Sequence, residues 1–188
     1  MVTASPTQTK KTAPSTISVV LVDDHRFIIE CLTPLLEQRI PGLKVVGTAD
    51  DATKAVRIVQ DIRPEIVVMD IDLPGMGAFA AAQEIRATCP NTKLMFLSAH
   101  SHDEDIERAL KVGARAYVVK PDSSDSIVEA IRSIVRDTVY YSQSVVERLT
   151  VGPGGVLSLG PSMSTGIGLL SERERTILIM LARGDSVK

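Results

Sequence analysis

Five short apolar runs, rich in Val and Ile, recur along this chain of 188 residues, and they limit its possible folds more than any other feature. The runs occupy residues 17–22, 43–47, 66–69, 93–97 and 116–119. Each run is too short for a helix and too uniformly apolar for a strand with one face in water. The pattern therefore predicts five parallel strands that are buried on both faces of one sheet.

The segments between the runs carry their apolar residues at helical spacing. Two such stripes are Ala52, Val56, Val59 and Ile62, and Ile127, Ile131, Ile134 and Val135. Crossover segments of a dozen or more residues favour right-handed connections, so we predict an α/β fold with a doubly wound five-stranded parallel sheet in the order 2-1-3-4-5. Because an interior proline costs roughly 3 kcal/mol, Pro34 predicts a bend or a later start for the first helix.

Changes in composition divide the chain into segments. Residues 1–16 are mostly Thr, Ser, Pro and Lys, and they carry too little apolar surface to offset the entropy of ordering, so we predict a disordered tail. The sheet domain is predicted over 17–136. A linker is predicted over 137–168, because Gly, Pro, Ser and Thr dominate residues 151–168. Residues 169–188 form the start of a second domain.

Charge and composition exclude several classes of protein. The 21 basic and 23 acidic side chains give a net charge of −2, and aromatic residues make up only 3%, which argues against a basic or base-stacking surface for nucleic acid. No apolar stretch approaches the roughly 20 residues that a membrane span needs. Cys31 and Cys89 are too few for a disulfide framework. We therefore expect a cytoplasmic protein without a membrane partner, and we expect Cys31, which lies among apolar residues, to be buried.

Polar side chains follow four of the five runs, and they are Asp23, Asp24, Asp70, Ser98 and Lys120. Because ligands bind beyond the carboxyl ends of parallel strands, we expect these side chains to face one crevice. Three carboxylates about 4 Å apart would repel one another by on the order of 4 kcal/mol per contact. The site must therefore take up protons or a dication, and its oxygen ligands favour Mg²⁺ bound together with a phosphate.

The chemistry that suits such a crevice is phosphoryl transfer. Lys120 offers a point positive charge and Ser98 a hydroxyl donor for phosphoryl oxygens. A carboxylate can itself attack phosphorus, and we predict Asp70 as this nucleophile because it ends the central strand and precedes a loop over 72–77. A single aspartate at a strand end is most often a cap or a turn residue, but five polar residues at successive strand ends favour a site.

Four motifs carry a resemblance to a known family. They are LVDDH at 21–25, MDIDLPG at 69–75, LSAH at 97–100 and YVVKP at 117–121. In this order and spacing they resemble the CheY-like receiver domain of two-component response regulators, over about residues 17–136.

The resemblance implies a role for each matching residue. Asp70 would be the phosphoacceptor. Asp23 and Asp24 would bind Mg²⁺ together with Asp70 and the backbone carbonyl of Asp72. The remaining roles are a phosphoryl-sensing hydroxyl, a switch aromatic and a phosphate-pairing lysine, which would fall to Ser98, Tyr117 and Lys120.

The chain departs from the family pattern at three positions. Relatives usually carry a polar residue in place of Gly77 and Gly in place of Ala78, so we expect a reshaped turn after Pro74. Arg26 stands where relatives often have Pro or another small residue, and it could alter the access of a phosphoryl donor.

The carboxyl-terminal residues carry a second resemblance. Ser171 and Glu174 form a capping box, and Gly184 stands where a helix would end. Residues 169–188 are similar to the opening helix of a LuxR-type helix-turn-helix domain, which suggests a transcriptional regulator of the NarL/FixJ type. Since the helix that reads base edges is missing from this stretch, we expect DNA binding only through a full-length output domain and not by this chain.

Together these features predict a response regulator and not an enzyme. As the resemblance implies, a sensor histidine kinase would phosphorylate Asp70 with Mg²⁺, and the protein would assist its own phosphorylation and dephosphorylation. Movement of Ser98 toward the phosphate would then let the ring of Tyr117 turn inward. The surface around the fourth helix, fifth strand and fifth helix would change, and a homodimer would form.

Other functions remain open at this point. The fold could serve as a phosphate-independent interaction module. The Asp70-Ile71-Asp72 segment also resembles the paired acids of haloacid-dehalogenase-type phosphatases, although Leu73 replaces their hydroxyl residue. An FMN site is disfavoured by acids where a hydroxyl-rich loop is needed, and a zinc site is disfavoured because His25, His100 and His102 show no metal-ligand spacing.

Overall fold

The computed structural model of the chain describes residues 16–120, 124–151 and 157–160. Strands and helices alternate through most of this part. The strands are β1 (Ile17–Val22), β2 (Leu43–Ala49), β3 (Ile66–Asp70), β4 (Lys93–Ser98), β5 (Ala116–Val119), β6 (Tyr140–Tyr141), β7 (Leu149–Val151) and β8 (Leu157–Leu159). The helices are α1 (Arg26–Arg39), α2 (Ala52–Ile62), α3 (Ala78–Thr88), α4 (Asp103–Lys111), α5 (Ser124–Val135) and α6 (Gln143–Val146).

Six of the strands form one parallel sheet in the order β2-β1-β3-β4-β5-β6. This confirms the predicted doubly wound α/β fold and the order of its first five strands. The sixth strand was not predicted: it extends the sheet beyond β5, where the N–H of Tyr140 donates to the carbonyl of Arg115 at 2.9 Å.

Alternate residues of each strand enter two separate cores. On one face, Val20 and Val67 pack with residues of α2, α3 and α4. On the other face, Val19 and Val68 pack with residues of α1 and α5, including Ile131. Both faces of β1, β3, β4 and β5 are therefore largely buried, as predicted, which is why these runs are mostly apolar. Strand β2 lies at the edge of the sheet and exposes every second residue, so the prediction of burial on both faces was wrong for this strand.

Helix α1 shows two differences from the sequence prediction. It begins at Arg26 and includes Pro34, so the proline does not delay its start. Cys31 is exposed, so the prediction of a buried thiol was wrong. The reason is the phase of the helix, because Leu36 is the one residue of α1 that is fully buried and Cys31 lies on a different face.

The segment predicted as a linker from residue 137 contains regular structure in its first part. Strand β6 and helix α6 follow α5, and β7 and β8 form an antiparallel hairpin. The linker assignment missed these elements because they are only two to four residues long and carry no clear periodicity. Residues 152–156 and 161–168 of the predicted linker, the predicted tail up to residue 15 and the predicted second domain lie outside the described residues.

Among the helices in the described part of the chain, none combines the length and the apolar character that a membrane crossing requires.

Candidate acidic site at the carboxyl end of the sheet

The parallel sheet brings four predicted site residues to one edge. Asp23 follows β1, Asp70 ends β3, Ser98 ends β4 and Lys120 follows β5. The register pairs Asp70 with Leu97 and Ser98 with Val119, so the strands end nearly level with one another. Residues far apart in the chain are therefore brought to one edge of the sheet, as the predicted topology requires.

Three carboxylates and a histidine meet in this crevice. Ligand atoms of Asp23, Asp24, His25 and Asp70 all lie within 4.8 Å of one another. The side chains of Asp23 and Asp70 are buried, whereas that of Asp24 is 38% exposed. Like charges this close repel strongly unless cations lie between them.

Lys120 supplies one such cation. Its Nζ lies 3.0 Å from Oδ2 of Asp23 and 2.9 Å from Oδ2 of Asp70. Burial lowers the pKa of Lys120, but its bonds to Asp70 and Asp23 outweigh that effect, so its pKa is raised overall. The lysine therefore stays charged and joins two of the three carboxylates.

The second oxygen of Asp70 is the least satisfied atom of the site. Oδ1 of Asp70 is buried and has no hydrogen-bond partner among the described residues. Burial raises the pKa of Asp70, Lys120 lowers it, and the charges of Asp23 and Asp72 raise it further, with a net rise. A buried carboxylate oxygen without a partner is unstable as an anion and calls for a proton or a metal ion.

These observations fit a divalent cation. The free Oδ1 of Asp70 and the carboxylates of Asp23 and Asp24 are hard oxygen ligands. Mg²⁺ prefers such ligands, binds through one or two carboxylates and keeps several waters. Asp72 lies in the loop after β3 with an exposed side chain, outside the carboxylate group.

His25 is a member of the site that sequence reasoning missed. Its Nδ1 lies 2.8 Å from Oδ1 of Asp24 and 3.2 Å from Oδ1 of Asp23, and its backbone N–H donates to Asp23 at 2.9 Å. The only signal in the sequence was its position directly after two acids. That position says nothing about which way the ring turns.

Ser98 and Tyr117 both form hydrogen bonds with the backbone of His100. The Oγ of Ser98 accepts from the N–H of His100 at 3.1 Å, and the hydroxyl of Tyr117 donates to the carbonyl of His100 at 3.1 Å. Both side chains are buried. Burial raises the pKa of Tyr117 to about 12.

The residues that depart from the family pattern lie at the N-terminal ends of two helices. Gly77 precedes α3 with a φ of 81°, a left-handed conformation that glycine adopts without strain. Ala78 is buried at the start of α3, and Arg26 begins α1 with an exposed side chain.

The fold and the crevice together define a class of protein. The model of the response regulator receiver domain family matches residues 19–132, which is more than half of the chain. The chain belongs to this family, which confirms the resemblance seen in its motifs.

Individual relatives point the same way. The transcriptional regulatory protein MctR of Rhizobium johnstonii is 31% identical, over 92% of this chain and 76% of its own length. The response regulator GacA of Pseudomonas aeruginosa is 29% identical, over 92% of this chain and 78% of its own length. The crystal structure of a LuxR-family two-component response regulator from Aurantimonas superposes with a TM-score of 0.67 and 34% identity, over 71% of this chain and 94% of that chain.

Proposed function

We propose that this protein is switched by a phosphoryl group that it accepts on Asp70. The observation that carries this proposal is the arrangement around that carboxylate: Oδ2 is held by Lys120 at 2.9 Å, while the buried Oδ1 has no partner. One oxygen is thus fixed by a cation that can also meet a phosphoryl oxygen, and the other is free to bind a metal or to attack.

In the proposed transfer, an oxygen of Asp70 attacks the phosphorus of a phosphohistidine. The P–O bond forms, the P–N bond breaks, and its electron pair leaves with the histidine nitrogen. Asp23 and Asp24 would hold Mg²⁺ with Asp70 and the Asp72 carbonyl, and the ion would neutralise charge on the phosphoryl oxygens. Lys120 would remain as the pairing cation on the opposite side.

Lys120 and Ser98 would then sense the new charge. Because Lys120 already touches both buried acids, it needs only a small movement to meet a phosphoryl oxygen. The hydroxyl of Ser98 would leave the N–H of His100 and donate a hydrogen bond to a phosphoryl oxygen. Tyr117, which is hydrogen-bonded to the carbonyl of His100, would then change its position. We propose these as the steps that convert phosphorylation into a changed surface.

The partners follow from the same proposal. A sensor histidine kinase would donate the phosphoryl group, and the phosphorylated protein would form a homodimer. Residues 17–136 would be the receiver domain, and residues 169–188 would begin a helix-turn-helix output domain. The names of MctR, a transcriptional regulatory protein, and of the LuxR-family protein from Aurantimonas support an output in transcription.

Acetyl phosphate with Mg²⁺ tests the acceptor directly. We expect the wild-type protein to gain a hydroxylamine-labile phosphoryl group, detected by intact-protein mass spectrometry, and the Asp70→Asn protein to gain none. Asp61→Asn, an exposed change on α2, is the matched control and should label like wild type. Labelling of the Asp70→Asn protein would move the acceptor to another residue.

Two further measurements separate the alternative functions. Repeated turnover of a small phosphate ester would identify a phosphatase. No labelling of the wild type, with no change in its oligomeric state on adding beryllofluoride and Mg²⁺, would favour a phosphate-independent module.

A gel-shift assay tests the expectation that this chain alone does not bind DNA. A sequence-specific complex between this chain and DNA would contradict the need for a full output domain.

A further inference from the structure

The segment after α5 folds back onto the sheet edge beside the predicted switch residues. We define the C-terminal strap as residues 140–151 and 157–160. Its first strand pairs with β5 so that Tyr141 lies opposite Tyr117. The N–H of Ser142 donates to the carbonyl of Tyr117 at 3.0 Å, and the buried Oγ of Ser142 accepts from the N–H of Val119 at 2.9 Å. The strap is therefore bonded to the backbone of the strand that carries Tyr117.

The hairpin of the strap also covers helix α4. Leu149 and Leu159 pack against the same core cluster as Ile106 and Ala109, which are the buried residues of α4. The N–H of Gly160 donates to the carbonyl of Arg148 at 2.9 Å, which ties the end of the strap to Arg148. The backbone of Arg148 therefore lies next to the last described residue of the strap.

Arg148 bonds to the segment that follows Ser98. Its guanidinium donates to the backbone carbonyl of Ser101 and pairs with the carboxylate of Asp103, the first residue of α4. The Arg148 side chain is 33% exposed, so water screens this pair less than a fully exposed one. These are the polar side-chain contacts that join the hairpin of the strap to the loop between β4 and α4 in the described part of the chain.

The same loop is held from its other side by the predicted switch. The N–H of His100 donates to Ser98 and its carbonyl accepts from Tyr117. The residue next to it, Ser101, is bonded to Arg148. A movement of Ser98 toward a phosphoryl group would therefore pull on both groups that Arg148 holds.

We propose that Arg148 is a positioning residue that couples the loop after Ser98 to the strap. Capture of a phosphoryl group displaces Ser101 and Asp103, Arg148 loses both partners, and the hairpin separates from α4. Since the strap leads directly into residues 161–188, its release would loosen the connection between the sheet domain and those residues. This inference rests on the proposed function, because it takes the movement of Ser98 as its trigger.

Amide hydrogen exchange on the full chain tests the coupling, with beryllofluoride and Mg²⁺ as the phosphoryl mimic. In wild type, we expect the mimic to raise exchange at residues 145–151 and 157–160 about tenfold, as loss of a charge-assisted contact allows local opening. Arg148→Ala should raise it to a similar degree without the mimic, and the mimic should then add little. Arg136→Ala, which removes an exposed ion pair with Glu129 on α5, is the matched control and should leave the strap unchanged.

A second variant guards against misfolding of the first. Asp103→Asn removes the ion pair but keeps the bond to Ser101, so its effect should be smaller than that of Arg148→Ala and of the same sign. Fluorine NMR of bound beryllofluoride reports separately on the acidic site. A bound signal with unchanged exchange in the strap overturns the coupling alone, and so does normal exchange in both variants. Absence of a bound signal overturns the proposed function and the coupling with it.

Discussion

The hydroxyl of Tyr117 donates a hydrogen bond to the backbone carbonyl of His100 at 3.1 Å, inside the protein. Burial holds the pKa of this phenol near 12, above its ordinary value of 10.0. A raised pKa means that the folded state favours the neutral phenol of Tyr117. The stability that this preference contributes is complete below pH 10 and is lost as the pH rises through about 12.

Replacement of Tyr117 by Phe should therefore remove a step near pH 12 from an ultraviolet pH titration. Between the ordinary tyrosine value and about 12, the wild type should lose stability more steeply than the variant, measured by urea unfolding. Tyr140→Phe, at a half-buried position on β6, is the control. A titration step near pH 12 of unchanged amplitude in Tyr117→Phe would contradict this account.

Asp70→Asn should stabilise the protein in metal-free buffer at neutral pH. Burial raises the pKa of Asp70, so the stability linked to its protonated form is lost as the pH rises, and an amide avoids that loss. Lys120 keeps Asp23 as its partner, so no cation is left unpaired. We expect a gain on the order of 1 kcal/mol in urea unfolding. Asp61→Asn should change stability by less than about 0.5 kcal/mol, and a clear loss in Asp70→Asn would refute the argument.

Lys120→Met should have the opposite effect. Its loss leaves Asp23 and Asp70 as two buried like charges without their shared cation. We expect a loss of about 3 kcal/mol in urea unfolding at neutral pH, partly recovered in acid as the carboxylates take up protons. Lys54→Met breaks an exposed ion pair with Asp50 and should lose no more than about 1 kcal/mol. Equal losses in the two variants would show that the pocket does not depend on this lysine.

Mg²⁺ should raise the melting temperature of the wild-type protein. An ion that binds only the folded state stabilises it by about 2.7 kcal/mol at a hundredfold excess over the dissociation constant. Asp23→Asn and Asp70→Asn each remove a ligand oxygen charge and should lose most of this shift, whereas Asp61→Asn should retain it. Choline chloride at matched ionic strength controls for screening. A shift that survives in both site variants would place the ion elsewhere.

The fold was predictable because apolar runs, separated by segments with helical spacing, recur along the sequence. Strands β1, β3, β4 and β5 are dense apolar runs, and burial on both faces explains that density. Strand β6 has only Tyr140 and Tyr141, which dock because the backbone of β5 is open at that edge, and an open edge leaves no pattern in the sequence. Cys31 was misplaced for a related reason: apolar neighbours reveal a helix but do not fix which of its faces turns inward.

The site was predictable where the topology alone determines position. Asp23, Asp70 and Lys120 meet because they stand at the ends of neighbouring parallel strands. The contact of His25 with two acids depends on a ring rotamer, and the bonds of Arg148 depend on a hairpin whose strands are three residues long. Neither follows from residue spacing. The chemical roles of the site residues stay predictions.

Lys120 lies 97 positions beyond Asp23, and β5 stands between β4 and β6 in the sheet. During synthesis the chain therefore produces its acids long before the cation that neutralises them. A nascent receiver should thus be unable to respond to a signal until nearly all of its domain has been translated and packed. An incompletely translated chain would therefore lack the assembled acidic pocket, because contacts between residues so far apart in the sequence form late in folding.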